Sequence, residues 1–185
     1  MSLSTNDVAV GVFVRGLGNL KTQLMKAEAQ VAGSGRDAAA LLDARLPRHE
    51  MGDDVAGDAQ HDLHSFGLAA QVHWAAEGAR LAIARIVGAR AAAVTSGEKS
   101  FLDLYEQIDA TIAHLREVSA GDVEAGLSGQ MVIEHGRGSV SVDGGRFLLA
   151  YAIPHFFYHL TTAYDILRSQ GVQLTMSDFL GDWGT

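Results

Sequence analysis

Two histidines four residues apart, His155 and His159, are the residues whose type and spacing most clearly suggest chemistry. Residues i and i+4 of a helix lie on the same face, so two imidazoles at this spacing can bind one metal ion. The same spacing is also typical of histidines that pack or hydrogen-bond within a helical core. A metal site in this chain therefore requires a further ligand from another helix.

His73 is the strongest candidate for that further ligand among the eight histidines, because it lies within an apolar helical stretch. Three imidazoles with an open fourth position are the arrangement of catalytic zinc sites, and nickel and iron also accept imidazole ligands. The sequence thus predicts a divalent-metal site, zinc or nickel, formed by His73, His155 and His159. The alternative for His73 is a core residue bonded to a backbone carbonyl or to Glu77.

Two carboxylates, Glu77 and Asp165, are candidates for orienting a metal-bound imidazole or for acting on a bound water. A solvated or helix-capping role is the simpler interpretation of each. His114 is expected on the solvent side of its helix. The chain contains no recognisable nucleophile–base pair, so its sequence does not assign catalytic residues.

The elements that must position these histidines follow from helical spacing of the apolar residues, which predicts an all-α four-helix bundle. The alternating, glycine-flanked segment 129–147 predicts a small β-hairpin between helices three and four. Pro154 should kink helix four or mark the start of its regular part. The first predicted helix is capped by Asn6 and ends at Gly33, and a short helix over 38–46 follows it. The second spans about 62–94 with an interruption near Gly88. The third spans about 99–118 and the fourth about 146–170. A polar surface loop is predicted over 47–60, and the whole chain, 1–185, is predicted to form one domain.

Composition excludes several classes of protein. The chain has 185 residues, is 48% hydrophobic, carries a net charge of −8 and contains no cysteine. The missing cysteine excludes a thiolate nucleophile and a disulfide framework, and the absence of a basic stripe argues against nucleic acid as a partner. No apolar run reaches the ~20 residues of a membrane span, and no signal peptide is recognisable. These features predict a cytoplasmic protein with no membrane partner.

The end of the chain resembles the DinB/YfiT-like superfamily of bacterial four-helix-bundle metalloenzymes. The motifs that carry the resemblance are His155-Phe-Phe-Tyr-His159, the pair Leu167-Arg168, Gly171, and His73 at a matching distance before Gly88. More narrowly, FFYHLTTAYDILRSQGV followed by DFLG, with VFVRGLGNL and LLDARL earlier in the chain, resembles an uncharacterised branch of that superfamily known as a domain of unknown function. In that branch the position of His155 is often asparagine and that of His73 often glutamine, so this chain departs toward the wider superfamily.

The resemblance implies a four-helix bundle, a metal held by the three histidines, and a homodimer. The wider superfamily includes transferases and isomerases that use low-molecular-weight thiols. Two hypotheses for function follow. In the first, the chain is a metal-dependent transferase or hydrolase, with a thiol as a candidate substrate. In the second, it is a non-catalytic bundle that binds a small ligand or forms a structural dimer.

Overall fold

Four long helices and one hairpin dominate the computed structural model, which describes residues 4–46, 66–91, 97–98, 100–135 and 138–182. The predicted loop over 47–60 lies outside the described residues, as do parts of the second predicted helix. The helices are α1 (Val12–Gly33), α2 (Ala39–Leu42), α3 (Leu68–Ile86), α4 (Phe101–Glu117), α5 (Ala120–Ser128), α6 (Gly144–Phe147), α7 (Ile153–Ser169) and α8 (Met176–Leu180), and the strands are β1 (Gln130–His135) and β2 (Gly138–Asp143).

The first helix begins earlier than the sequence pattern predicted. Ser4 rather than Asn6 caps it, because the Ser4 hydroxyl accepts from the Asp7 amide while the Asp7 carboxylate accepts from the Ser4 amide. This reciprocal arrangement satisfies backbone donors that the first turn leaves unpaired. One π-helical turn, Asp7–Gly11, then leads into α1.

The four longest helices pack in a closed ring, in which α3 lies against α4 and α7, and α1 lies against the same two helices. Their apolar stripes form one core that includes Phe13, Leu24, Ile83 and Ile108. Gly16 of α1 admits the ring of Phe156 of α7, because a Cβ at Gly16 would lie 2.7 Å from the Phe156 Cζ. This glycine therefore serves packing within the chain.

The hairpin β1–β2 is antiparallel, with Gln130 opposite Asp143 and His135 opposite Gly138. The helical stretch that follows is not uniform: α6 is succeeded by a π-helical segment, Leu148–Ala152, before α7 begins. Pro154 lies in the first turn of α7, directly after the π-helical segment, so its missing amide hydrogen falls where the helical hydrogen-bond pattern changes. The prediction that Pro154 marks the start of the regular helix is confirmed.

The predicted fold is thus confirmed as mostly helical with one small hairpin between the third and fourth long helices. The described residues contain eight α-helices rather than the five predicted, because α5 and α8 were not anticipated and the predicted fourth helix is divided into α6 and α7. Their caps explain them: Ser119 accepts from the Asp122 amide at α5, Asp143 accepts from the Arg146 amide at α6, and Thr175 forms a capping box with Asp178 at α8.

The short helix α8 is fastened to α1 by hydrogen bonds from three side chains. Arg15 donates to the Leu180 carbonyl, Asn19 to the Phe179 carbonyl and Gln23 to the Asp178 carbonyl. The C-terminal segment therefore covers one side of α1. In the parts of the chain that the structure describes, no helix is both long and apolar enough to cross a membrane.

Candidate functional site

His155 and His159 lie one turn apart in the first half of α7, on the same face, as their spacing predicted. Their Nε2 atoms are 3.4 Å apart. The ring centroids are 4.6 Å apart and the ring planes meet at 71°. The two imidazoles therefore form a close pair whose Nε2 atoms converge.

A glutamine of α3 fixes the orientation of His159. The Oε1 atom of Gln71 lies 2.7 Å from the His159 Nδ1, and both side chains are buried. Because a carbonyl oxygen only accepts hydrogen bonds, this contact places the hydrogen of neutral His159 on Nδ1. The Nε2 lone pair of His159 then faces His155.

Burial also determines the charge of His159. Desolvation, with a smaller contribution from His155, lowers the pKa of the His159 imidazole to about 4. At neutral pH the ring is therefore neutral, which is the state that a metal ligand or a hydrogen-bond acceptor requires.

Gly78 of α3 makes room for His155. A Cβ at this position would lie 3.2 Å from the His155 Nδ1, closer than an ordinary van der Waals contact. On its other side, the His155 ring stacks on Tyr151, with centroids 5.4 Å apart and planes 20° apart. His155 is therefore held between a glycine gap in α3 and an aromatic ring.

The structure does not bring His73 to this pair. Its Nδ1 lies 3.0 Å from the Glu98 Oε1 and 2.8 Å from the Gln107 Nε2, which places the ring toward α4. Since residues two apart in a helix point about 200° away from each other, Gln71 and His73 occupy opposite sides of α3. Of the three predicted ligands, the structure thus brings together two. Within the described residues no three histidine or acidic side chains gather in a way that could hold a metal ion.

His73 instead belongs to a buried polar cluster between α3 and α4. Burial raises the pKa of Glu98, but the backbone amides of Glu98 and Gly97 and the His73 side chain together hold it below its ordinary value. Glu77 accepts two hydrogen bonds from Arg80, at 2.9 and 2.7 Å. This carboxylate pairs with a guanidinium, on the side of α3 away from the histidine pair.

The remaining polar candidates lie away from the pair. Asp165 and His114 are both exposed. His114 matches its predicted solvent-side position on α4. The side chain of Asp165 follows His159 by six residues and is solvated, as the simpler interpretation of that residue expected.

A cleft of about 1110 Å³ opens beside the histidine pair, between α3 and the α6–α7 segment. His155 and His159 contribute to its wall, together with Gly78. The remaining wall is mostly apolar and aromatic. A concave apolar cavity with a few convergent polar groups is the usual form of a small-molecule site.

Gln71 and Gly78 are the site residues that sequence reasoning did not identify. They are seven residues apart, or two helical turns, so they share one face of α3. This spacing was present in the sequence, but the register of α3 against α7 decides which face meets the histidines.

Acid should destabilise the metal-free protein through His159. The folded pKa of about 4 lies below the value of 6.5 for a free histidine, so the unfolded chain takes up a proton first as the pH falls. The free energy of unfolding therefore keeps its full value above pH 6.5 and decreases as the pH falls from 6.5 toward 4. Allowing for solvent screening, we expect a loss of about 2 kcal/mol in the free energy of unfolding.

Denaturant unfolding with a chelator present, between pH 7.5 and 4, measures this loss. The comparison variant is His159→Asn, which retains a donor for Gln71 and has no titrating group. The wild-type protein should lose more stability than the variant over this range. Parallel pH profiles for the two proteins would contradict the prediction.

Comparison with known proteins places the chain in a family context. Residues 6–180 match the family model described as Domain of unknown function (DUF1993). The crystal structure of a DinB family member protein from Shewanella denitrificans is similar, with 29% sequence identity and a TM-score of 0.79, over 97% of this chain and 93% of that one. No functionally curated protein matches the chain.

Proposed function

The chain belongs to the DUF1993 family, a DinB-like branch, and from that premise we propose that His155 and His159 hold a divalent metal ion, zinc or nickel, in the wall of a small-molecule cleft. The protein is then a metal-dependent enzyme acting on a small substrate. This proposal includes the expected transferase or hydrolase activity, with a thiol as a candidate substrate class.

The distance between the two Nε2 atoms carries the proposal. Two Zn–N bonds of about 2.1 Å that meet at a tetrahedral angle separate their nitrogens by about 3.4 Å, and this is the separation in the pair. Protein N–H···O hydrogen bonds have a modal length of about 3.0 Å, so 3.4 Å is long for a direct hydrogen bond. The spacing thus fits two ligands of one ion better than a direct hydrogen bond.

The neighbouring residues support a ligand role for the pair. Gln71 accepts from the Nδ1 of His159, which leaves the Nε2 lone pair available. Metal-bound histidines commonly have their second ring nitrogen held in this way. The neutral state of His159 removes competition from a proton.

With a metal bound, His155 and His159 would be its two protein ligands, and other positions would be open to water or to a molecule in the cleft. When bound, a divalent ion supplies Lewis acidity and lowers the pKa of a coordinated water or thiol. The chain's own residues orient the imidazoles through Gln71 and Tyr151. The wall of the cleft beside the pair is mostly apolar.

A non-catalytic small-ligand-binding protein is the second candidate function. The observation that favours it is the position of His73, which bonds Glu98 and Gln107 rather than facing the pair. In that case His155 and His159 are polar groups in the wall of a binding site. The expected homodimer stays a prediction under either function.

Zinc titration of untagged protein at pH 7.5, followed by isothermal calorimetry, tests the proposal. We expect one zinc per chain, and anomalous diffraction from zinc-loaded crystals should place the ion between His155 and His159. The matched control is His114→Ala, which removes an exposed histidine of α4 and should leave the affinity unchanged. If the protein binds neither zinc nor nickel stoichiometrically, or if the ion lies elsewhere, the metal site is rejected. The second candidate function then becomes the better one.

A further inference from the structure

The walls of the cleft leave several aromatic rings open to solvent. Trp74 of α3 is 38% exposed, Tyr151 is 56% exposed and Tyr158 is 43% exposed, and all three line the cleft. Phe147 lines the same space from α6. Clustered aromatic surface that folding does not bury is typical of a site for an apolar ligand.

The charge of the cleft is opposite to that of the protein. The whole chain has 22 acidic and 14 basic side chains, yet the charged side chains among the described lining residues are those of Arg85 and Arg90. The guanidinium of Arg85 lies over the Phe147 ring, 5.7 Å from its centroid. Within the described residues, neither arginine forms an ion pair with a carboxylate. A guanidinium group can bind a carboxylate through two parallel hydrogen bonds, so this charge beside an apolar wall suits an anionic ligand.

Arg85 and the histidine pair lie at different levels along α3. Gly78 meets His155, and Arg85 follows Gly78 by seven residues along α3. At 1.5 Å per residue this is about 10 Å along the helix axis. A ligand that reaches both ends therefore needs an apolar body of roughly that length between its acidic group and the part near the imidazoles.

We propose that the cleft binds an amphipathic organic acid, with its carboxylate on Arg85 and Arg90 and its hydrophobic body along the aromatic wall toward His155. This inference rests on the proposed function in taking the cleft as the substrate site, and it names the substrate class. The anion is recognised by arginines rather than by a metal, so its binding does not depend on metal content.

Binding of two matched probes tests the charge preference. The probes are 6-phenylhexanoate and 6-phenylhexylamine, which share a body and differ in charge, with 6-phenylhexanol as the neutral reference. Calorimetry at pH 7.5 with a chelator present should give at least tenfold tighter binding of the acid than of the amine. Arg85→Gln and Arg90→Gln should each weaken binding of the acid about three- to tenfold and leave binding of the alcohol unchanged.

Two control variants make the result specific. Arg116→Gln removes an exposed arginine of α4 outside the cleft and should not change binding of the acid. Arg85→Lys keeps the positive charge and should retain most of the preference for acid over amine. These comparisons separate recognition by the cleft from the general effect of net charge.

Equal binding of acid and amine, or binding of the acid that neither arginine variant weakens, would overturn the inference. Acid binding that requires added zinc and disappears in His159→Ala would also overturn it, because the anion would then be bound by the metal. Zinc binding without a preference for the acid leaves the proposed function intact and rejects this inference alone. A preference for the acid without zinc binding supports this inference and rejects the metal site.

Discussion

Replacing His159 by alanine should abolish zinc binding at neutral pH, whereas replacing His73 by alanine should leave the zinc affinity within about threefold of the wild type. His159 and His155 converge at their Nε2 atoms, while His73 is bonded to Glu98 and Gln107 toward α4. We expect at least a hundredfold loss of affinity for His159→Ala, or about 2.7 kcal/mol. Competition with a chromophoric zinc chelator at pH 7.5 measures these affinities.

Further variants test how the pair is supported. His155→Ala should match His159→Ala, because each removes one of two protein ligands. Gln71→Ala should weaken zinc binding by about 10- to 100-fold, as is usual when the partner of a metal-bound histidine is removed. If His73→Ala lost zinc as completely as His159→Ala, the three-histidine site predicted from the sequence would be the correct one and the arrangement described above would be rejected.

Replacing Gly126 by alanine should lower the free energy of unfolding by about 2–3 kcal/mol. A Cβ on this residue of α5 would collide with the backbone carbonyl oxygen of Ile86 at the end of α3, and it would lie 3.0 Å from the Ile86 Cγ2. The carbonyl of Gly126 is itself in close contact with Gly144 of α6. Since backbone cannot move aside as a side-chain tip does, the cost should exceed the helix-propensity gain of up to about 1 kcal/mol.

Gly121→Ala provides the matched control for this prediction, because it lies in the same helix. A Cβ there meets the Ser119 Oγ at 3.7 Å, an ordinary contact. We therefore expect Gly121→Ala to leave stability unchanged or to raise it slightly. Equilibrium denaturation by urea measures both variants, and equal stabilities for the two would contradict a close approach of α5 to α3.

The sequence by itself determined the elements with strong local signals. The spacing of apolar residues predicted the four long helices, and alternation between glycines predicted the hairpin at its observed place. Asp37 accepts from the Ala39 amide near the start of α2, and Gly171 has a φ of +83° after α7, both as expected of these residue types. These features depend on interactions within a few residues, which a linear pattern contains.

The shared face of His155 and His159 is also a local property, because both residues lie on one helix and its period fixes their relation. The short helices α5 and α8 were missed although their capping residues, Ser119 and Thr175, were present. A cap alone does not predict a helix of few turns, since such a helix depends on tertiary packing for its stability.

Only the tertiary structure decided which side of α3 meets α7. His73 and Gln71 are both polar and both buried, and the sequence gives no reason to prefer one over the other as the residue that meets the pair. The choice depends on the rotation of α3 about its axis, which is fixed by contacts such as Gly78 with His155 and Gly126 with Ile86. Contacts between residues distant in the chain set that rotation, and a change of two positions along a helix turns the side chain by about 200°. That turn carries His73 to Glu98 and brings Gln71 to His159.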